Sequence, residues 1–203
     1  MLKRTLPLAT VLVGFSLVFT AGAGEKKKGE EPKYSNFTYV PTADEVIDKM
    51  FEMGKVNKDD VIFDLGCGDG RILYMAAKKF GCRGIGIDLN PERIEDAMKK
   101  FREYDTGTLV EIRFGDALKV KDISDATVVA LYMFPEFMDL WYPIAKEKLK
   151  PGTRILSHDY SWTKGWEPVR TETVTSKSQN REHRVIMWEV PGKGEKKSGA
   201  SSR

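Results

Sequence analysis

From residue 42 the apolar positions Val46, Ile47, Met50 and Phe51 recur at helical spacing. Thr42 fits as the N-cap, with Glu45 three residues on as its capping-box partner. The run 61–65, Val-Ile-Phe-Asp-Leu, predicts a short buried strand that enters a glycine loop at 66–70. A helix follows over 72–80, ended by Gly81, and a second buried strand over 84–88. Pro91 opens a helix to about residue 104, with Ile94, Ala97, Met98 and Phe101 on its apolar face. Strands are predicted at 109–114, 127–132 and 153–157, with a helix over 135–149 before the last of these.

This alternation implies a parallel sheet with helices on both faces. The ending differs. Two β-rich stretches, 167–175 and 183–190, are joined by a polar loop with no helix between them, so they should pair as an antiparallel hairpin. The expected class is therefore α/β, a doubly wound, mostly parallel seven-stranded sheet closed by a C-terminal antiparallel hairpin.

The chain ends have a different pattern. Lys3 and Arg4 precede an uncharged stretch over 6–24, and Ala21-Gly22-Ala23 has the small-x-small form of a signal-peptidase site. The stretch is also long enough to nearly span a hydrocarbon core of about 30 Å. Residues 1–24 are thus expected to be a signal peptide or an N-terminal membrane anchor, and the chain membrane-associated or exported. Lysines on both sides of the stretch leave its orientation open. Residues 25–38 read as a charged linker, 39–190 as the folded domain and 191–203 as a disordered tail.

Composition sharpens this division. A length of 203 residues suits one domain, and 41% hydrophobic residues exclude wholesale disorder. The net charge of +3 belongs to the ends, because residues 34–192 hold 23 bases against 26 acids. An acidic core is not that of a nucleic-acid-binding domain. Two Cys make no disulfide framework, and with two His no metal site is expected.

The chemistry concentrates at strand ends. Asp64-x-Gly66-x-Gly68-x-Gly70 lies where parallel sheets bind ligands, outside the carboxyl end of the first strand. Asp88 ends the second strand, where a carboxylate can accept hydrogen bonds from ribose hydroxyls. Asp116 follows the third strand, where it can meet an adenine edge. The combination predicts an adenosine-type ligand. A dinucleotide fits poorly: Arg71 stands where its fingerprint needs Gly or Ala, and Asp69 sets a negative charge against pyrophosphate. An acidic loop suits a ligand carrying an ammonium and a sulfonium.

These residues resemble those of class I, seven-β-strand S-adenosylmethionine-dependent methyltransferases. The likeness rests on Asp64-Leu65-Gly66-Cys67-Gly68-Asp69-Gly70, on Asp88, on Gly115-Asp116-Ala117 and on the terminal hairpin. A narrower likeness rests on Tyr39-Val40-Pro41-Thr42, Asp69-Gly70-Arg71-Ile72, Leu131-Tyr132-Met133-Phe134-Pro135 and residues 149–157. It is to a prokaryotic and mitochondrial group that includes membrane-anchored lysine methyltransferases acting on the ATP synthase c subunit and the adenine nucleotide translocase. In that group, too, a hydrophobic segment precedes the domain.

The resemblance implies S-adenosyl-L-methionine as cofactor and a protein substrate, membrane proteins included, methylated on lysine. Nucleic acid is not expected as a partner. Asp64 and the backbone of Gly66, Gly68 and Gly70 would face the methionine moiety. Asp88 would hold the ribose, with Leu89 and Cys67 beside it, and Asp116 and Ala117 would flank adenine. Tyr132 would stand near the methyl group as the catalytic aromatic, and Tyr39, Pro41 and Thr42 would form a lid.

Plainer roles stand beside these. Tyr132 and Phe134 also suit packing, Glu136 an acidic first turn, His158 and Asp159 a structural loop pair, and the two cysteines and the tryptophans simple packing. The fourth strand is followed by Phe134-Pro135-Glu136-Phe137, not by an Asn/Asp-Pro-Pro-aromatic motif, which disfavours methylation of amides or nucleobase amines. The helix expected before the hairpin is nearly absent at 159–165, leaving an open substrate wall. Two alternatives remain: a small-molecule methyltransferase, and an exported, non-catalytic binding protein on the same scaffold.

Overall fold

The computed structural model describes residues 39–192. The predicted hydrophobic segment, the whole linker and most of the tail lie outside the described residues. Among the described residues no helix is long and apolar enough to cross a membrane.

The elements run α1 (Asp44–Gly54), β1 (Val61–Leu65), α2 (Arg71–Phe80), β2 (Arg83–Asp88), α3 (Pro91–Glu103), β3 (Val110–Phe114), β4 (Val128–Leu131), α4 (Pro135–Lys148), β5 (Arg154–His158), β6 (Arg170–Ser176) and β7 (Arg181–Glu189). A 3-10 turn, Ala117–Lys119, follows β3. The sheet has the order β3-β2-β1-β4-β5-β7-β6. The first five strands are parallel, and β7 runs antiparallel to both β5 and β6. The alternation and the closing hairpin are as the pattern predicts.

Strand residues alternate between two cores because successive side chains point to opposite faces. Phe63, Leu65, Val129, Leu131, Ile155 and Trp188 pack with Phe137, Met138 and Trp141 of α4 on one face. Ile62, Val128, Ala130, Leu156 and Val185 pack with α1 and α2 on the other. Full burial of side chains this size contributes about 1.5–3 kcal/mol each. The strand order reverses direction between β1 and β4, so the carboxyl ends of these neighbours part and leave a crevice.

Two local expectations change. Ala43 is the N-cap of α1 and makes no side-chain capping bond. Thr42 Oγ1 bonds His158 Nδ1 at 3.1 Å, and Glu45 accepts from the Lys177 N–H at 3.2 Å. Both groups of the expected capping box are drawn to distant tertiary partners. Met98 is exposed, because α3 meets its neighbours through the small Ala97 and through Phe101. Between β5 and β6 there is no helix, as expected.

Candidate active site

A cleft enclosing about 1040 Å³ of empty space, part of it open to solvent, lies at the parting of β1 and β4. Its lining includes Tyr39, Pro41, Thr42, Asp64, Gly66, Cys67, Asp88, Leu89, Ala117 and Tyr132 from the predicted set. It also includes Arg71, Asn90, Arg93, Met133 and Phe134, which sequence patterns left without a site role.

The loop is held from β2. The N–H groups of Gly66 and Cys67 both donate to the Ile87 carbonyl, at 2.9 and 3.1 Å. Asp88 then uses both oxygens on backbone: Oδ2 accepts from Gly68 N–H and Oδ1 from Asn90 N–H, each at 2.8 Å. These bonds orient the carboxylate at the cleft, and each oxygen keeps a further lone pair for a ligand hydroxyl.

The three glycines divide their work. Gly66 lines the cleft. Gly68 has φ +53°, and a Cβ there would come within 2.3 Å of the Tyr39 ring. Gly70 has φ +73°, and a Cβ there would meet Phe101 at 2.6 Å. Gly68 therefore lets the lid aromatic close over the loop, and Gly70 lets α2 approach α3.

Asp64 is the strongest sign of a ligand. It is 2% exposed, faces the cleft, and its Oδ2 has no hydrogen-bond partner among the described residues. Burial, and then the nearby charges of Asp88 and Asp69, push its pKa up to about 8. A buried, unpartnered carboxyl among other carboxylates fits a ligand that brings a positive charge.

Asp69 differs from expectation. Its carboxylate is not an open charge, because Arg71 grips it with Nε at 2.9 Å and a terminal nitrogen at 2.8 Å. The pairing holds Asp69 below the usual carboxylate range despite its burial. Arg71 also donates to the Thr42 carbonyl at 3.1 Å, tying the loop to the lid. Burial, and then Asp69, raise the Tyr39 phenol to about 12, so it stays neutral. Arg93 stacks 4.8 Å from the Tyr39 ring centroid.

Asp116 also has a local task. It accepts from Leu118 N–H at 2.9 Å, capping the 3-10 turn that brings Ala117 to the cleft. Cys67 is buried beside Gly86, and burial holds its thiol protonated. Glu136 is exposed on the first turn of α4.

The opposite wall is aromatic. Tyr132 and Phe134 follow β4 and line the cleft. Tyr160 stands 5.9 Å from the ring of Tyr132 and 5.3 Å from that of Phe134. Behind Tyr132 lie His158, Asp159, Arg181 and His183. The two histidines of the chain, 25 residues apart, thus meet as a buried pair.

A parallel sheet closed by a hairpin, a glycine loop after β1, a carboxylate on β2 and an unpaired acid at the cleft define an S-adenosylmethionine-dependent methyltransferase. The ANTKMT methyltransferase domain matches residues 64–170. A protein-lysine N-methyltransferase of Saccharolobus islandicus is 37% identical over 153 residues, which cover 75% of this chain and 92% of that one. The crystal structure of an RNA methyltransferase from Salinibacter ruber, in complex with S-adenosyl-L-homocysteine, is 39% identical. It superposes with a TM-score of 0.69, covering 80% of this chain and 100% of that one. A Thiobacillus denitrificans methyltransferase, also solved with S-adenosyl-L-homocysteine, shares the fold at 22% identity and a TM-score of 0.55, covering 64% of this chain and 54% of that one. The chain belongs to the ANTKMT methyltransferase domain family.

Proposed function

We propose that the protein methylates lysine side chains of a protein substrate. The observation that carries this reading is the aromatic wall of Tyr132 and Phe134 at the cleft, backed by the ring of Tyr160. The Saccharolobus islandicus relative supports it.

The bound donor supplies an activated methyl group on a sulfonium. Asp64, the Gly66 backbone, Asp88 and Ala117 are the groups that would hold it, under the lid of Tyr39, Pro41 and Thr42. An incoming amine must be neutral, and a low-polarity wall favours the loss of its proton. Burial raises the pKa of the Tyr132 phenol, so the ring offers shape and a π-face rather than a base. The leaving group is a neutral thioether and needs no anion stabilisation. The wall's main contribution is to place the nitrogen about 3–3.5 Å from the methyl carbon.

The Salinibacter ruber relative gives RNA as a second reading. The balance of 23 bases to 26 acids over 34–192 weighs against a polyanion. The uncharged stretch within residues 6–23 supports membrane association, with a membrane protein as substrate, and the basic residues beside it suit an anionic lipid surface.

The full chain should be incubated with methyl-labelled donor and, separately, with membrane proteins, total RNA and a metabolite extract. Methyl-lysine in protein hydrolysates is the expected product. Label confined to RNA or to metabolites refutes the lysine reading, and no binding of donor or its demethylated product would favour a non-catalytic protein. Fractionation with mapping of the mature N-terminus tests the membrane reading; a soluble, uncleaved protein refutes it.

A further inference from the structure

The buried group behind Tyr132 has no assigned task. His158 ends β5 with no exposed surface, and His183 of β7 is 1% exposed. The His158 ring stacks on Tyr132 with centroids 3.8 Å apart and planes 26° apart. Its Nδ1 meets Thr42 Oγ1 at 3.1 Å and its Nε2 meets His183 Nδ1 at 2.6 Å. Asp159 Oδ2 lies 3.0 Å from His183 Nδ1, and Arg181 binds that oxygen at 2.8 Å. Arg181 also reaches Tyr132 Oη at 3.5 Å and donates from Nε to His183 Nε2 at 3.2 Å.

Two histidines and a carboxylate can hold a metal, but this spacing argues otherwise. Two nitrogens on one tetrahedral zinc, each about 2.05 Å from it, stand about 3.3 Å apart. At 2.6 Å the two nitrogens stand too close to be ligands of one zinc, and the Arg181 guanidinium sits against the same atoms. Arg181 lies against both ring nitrogens of His183, with Nε 3.2 Å from Nε2 and a terminal nitrogen 3.1 Å from Nδ1. His158 bonds Thr42 through Nδ1 and His183 through Nε2, whichever of its ring nitrogens carries the proton. Asp159 and Arg181 offset each other, and burial disfavours a charge on the His158 ring.

His158 thus touches both walls of the cleft from behind. Thr42 belongs to the lid and Tyr132 to the aromatic wall, and His158 itself does not line the cleft. The hairpin braces the lid a second time, where Gln179 donates to the Pro41 carbonyl at 2.9 Å. We propose that His158 is a positioning residue that couples the donor lid at Thr42 to the acceptor-side ring of Tyr132. The inference rests on the methyltransferase reading of the cleft but not on lysine as acceptor. The groups facing His158 are Thr42 before α1, Tyr132 after β4, Asp159 beyond β5, and Arg181 and His183 of β7. Burial holds its pKa down to about 4, so the coupling survives to mildly acidic pH.

The test compares His158→Phe, His158→Asn and Thr42→Val in the full chain. Calorimetry reads the affinity for S-adenosylhomocysteine, which needs no acceptor, and turnover reads the acceptor side. His158→Phe keeps a ring for Tyr132 but loses the lid bond. It should weaken S-adenosylhomocysteine binding about tenfold, and Thr42→Val, which cuts the same bond from the far side, should do the same. His158→Asn can restore the bond to Thr42 but not the stack, so it should bind near normally and lose about tenfold or more in kcat. Unchanged affinity in both Thr42→Val and His158→Phe overturns the proposal. So does stoichiometric zinc binding that His183→Gln abolishes. Failure to methylate lysine with these affinity shifts intact would refute the acceptor reading alone.

Discussion

The two halves of the sheet make opposite use of the chain. On the β1–β2–β3 side the groups facing the donor lie within short runs, residues 64–71, 88–93 and 115–117. Each run follows one strand, and its conformation is held largely by its own backbone and by the strand beside it. On the β4–β5–β7 side the wall is assembled from far apart. Thr42 meets His158 across 116 positions, and Gln179 meets Pro41 across 138. The difference teaches that the donor-facing loops are written as local motif, whereas the acceptor wall and the lid braced on it are written as packing.

The largest expected effect breaks the donor half alone. Asp88→Ala removes the carboxylate that orients Gly68 and Asn90 and faces the ribose position. S-adenosylhomocysteine affinity should fall by about a hundredfold, from lost charge-assisted bonds. The Tyr132 side should keep its fold, read by near-ultraviolet dichroism. A variant that binds normally would detach Asp88 from the site.

Next comes the seam between loop and lid. Gly68→Ala puts a Cβ at φ +53° against the Tyr39 ring. We expect about 1–2 kcal/mol less stability in urea unfolding, together with weaker donor binding. A loss of stability without a loss of affinity would show that Tyr39 is no lid.

Proton linkage sharpens the contrast further. Asp64 is raised from 3.8 to about 8, so the ligand-free folded chain holds this proton after the unfolded chain has released it. Its contribution therefore lowers stability as pH rises through that window. The ammonium of the methionine moiety, which S-adenosylhomocysteine keeps although it lacks the sulfonium, favours the carboxylate when it lies beside Asp64. Binding S-adenosylhomocysteine at pH 7 should then release about one proton, seen as a buffer-dependent enthalpy in calorimetry. Asp64→Asn should bind without that release, and buffer-independent binding by the unaltered chain would contradict the assignment.

The smallest effect belongs to the acceptor half. His158 titrates near 6.5 when unfolded and is lowered to about 4 in the fold. Between these values the unfolded chain takes up a proton the fold refuses, so stability falls as pH drops from about 6.5 to about 4. His158→Phe should flatten that slope in melting experiments. An unchanged slope would assign it to other groups.

The sequence made the donor side legible through particular residues. Asp64, Gly66 and Asp88 were recognisable because a strand end, a tight turn and a carboxylate must fall at fixed spacing. The alternation of elements and the closing hairpin were legible for the same reason, as periodicity. Asp69 was misjudged as an open charge, because only the turn into α2 folds Arg71 back onto it. Thr42 and Glu45 looked like a capping box because local rules cannot weigh partners on β5 and beyond β6. Nothing local shows that Gly70 must lack a side chain because Phe101 and Ala97 of α3 press against it.

By itself, then, the sequence determined the sheet's order of elements, the donor chemistry and the uneven charge of ends and core. These depend on periodicity, local turn geometry and composition, which act over a few residues. Only the tertiary structure decided which acid stands unpaired, what the lid closes on, and that His158, Asp159 and His183 meet behind Tyr132. Those are outcomes of long-range packing, where burial strips away water and each polar group must find its partner in another part of the chain.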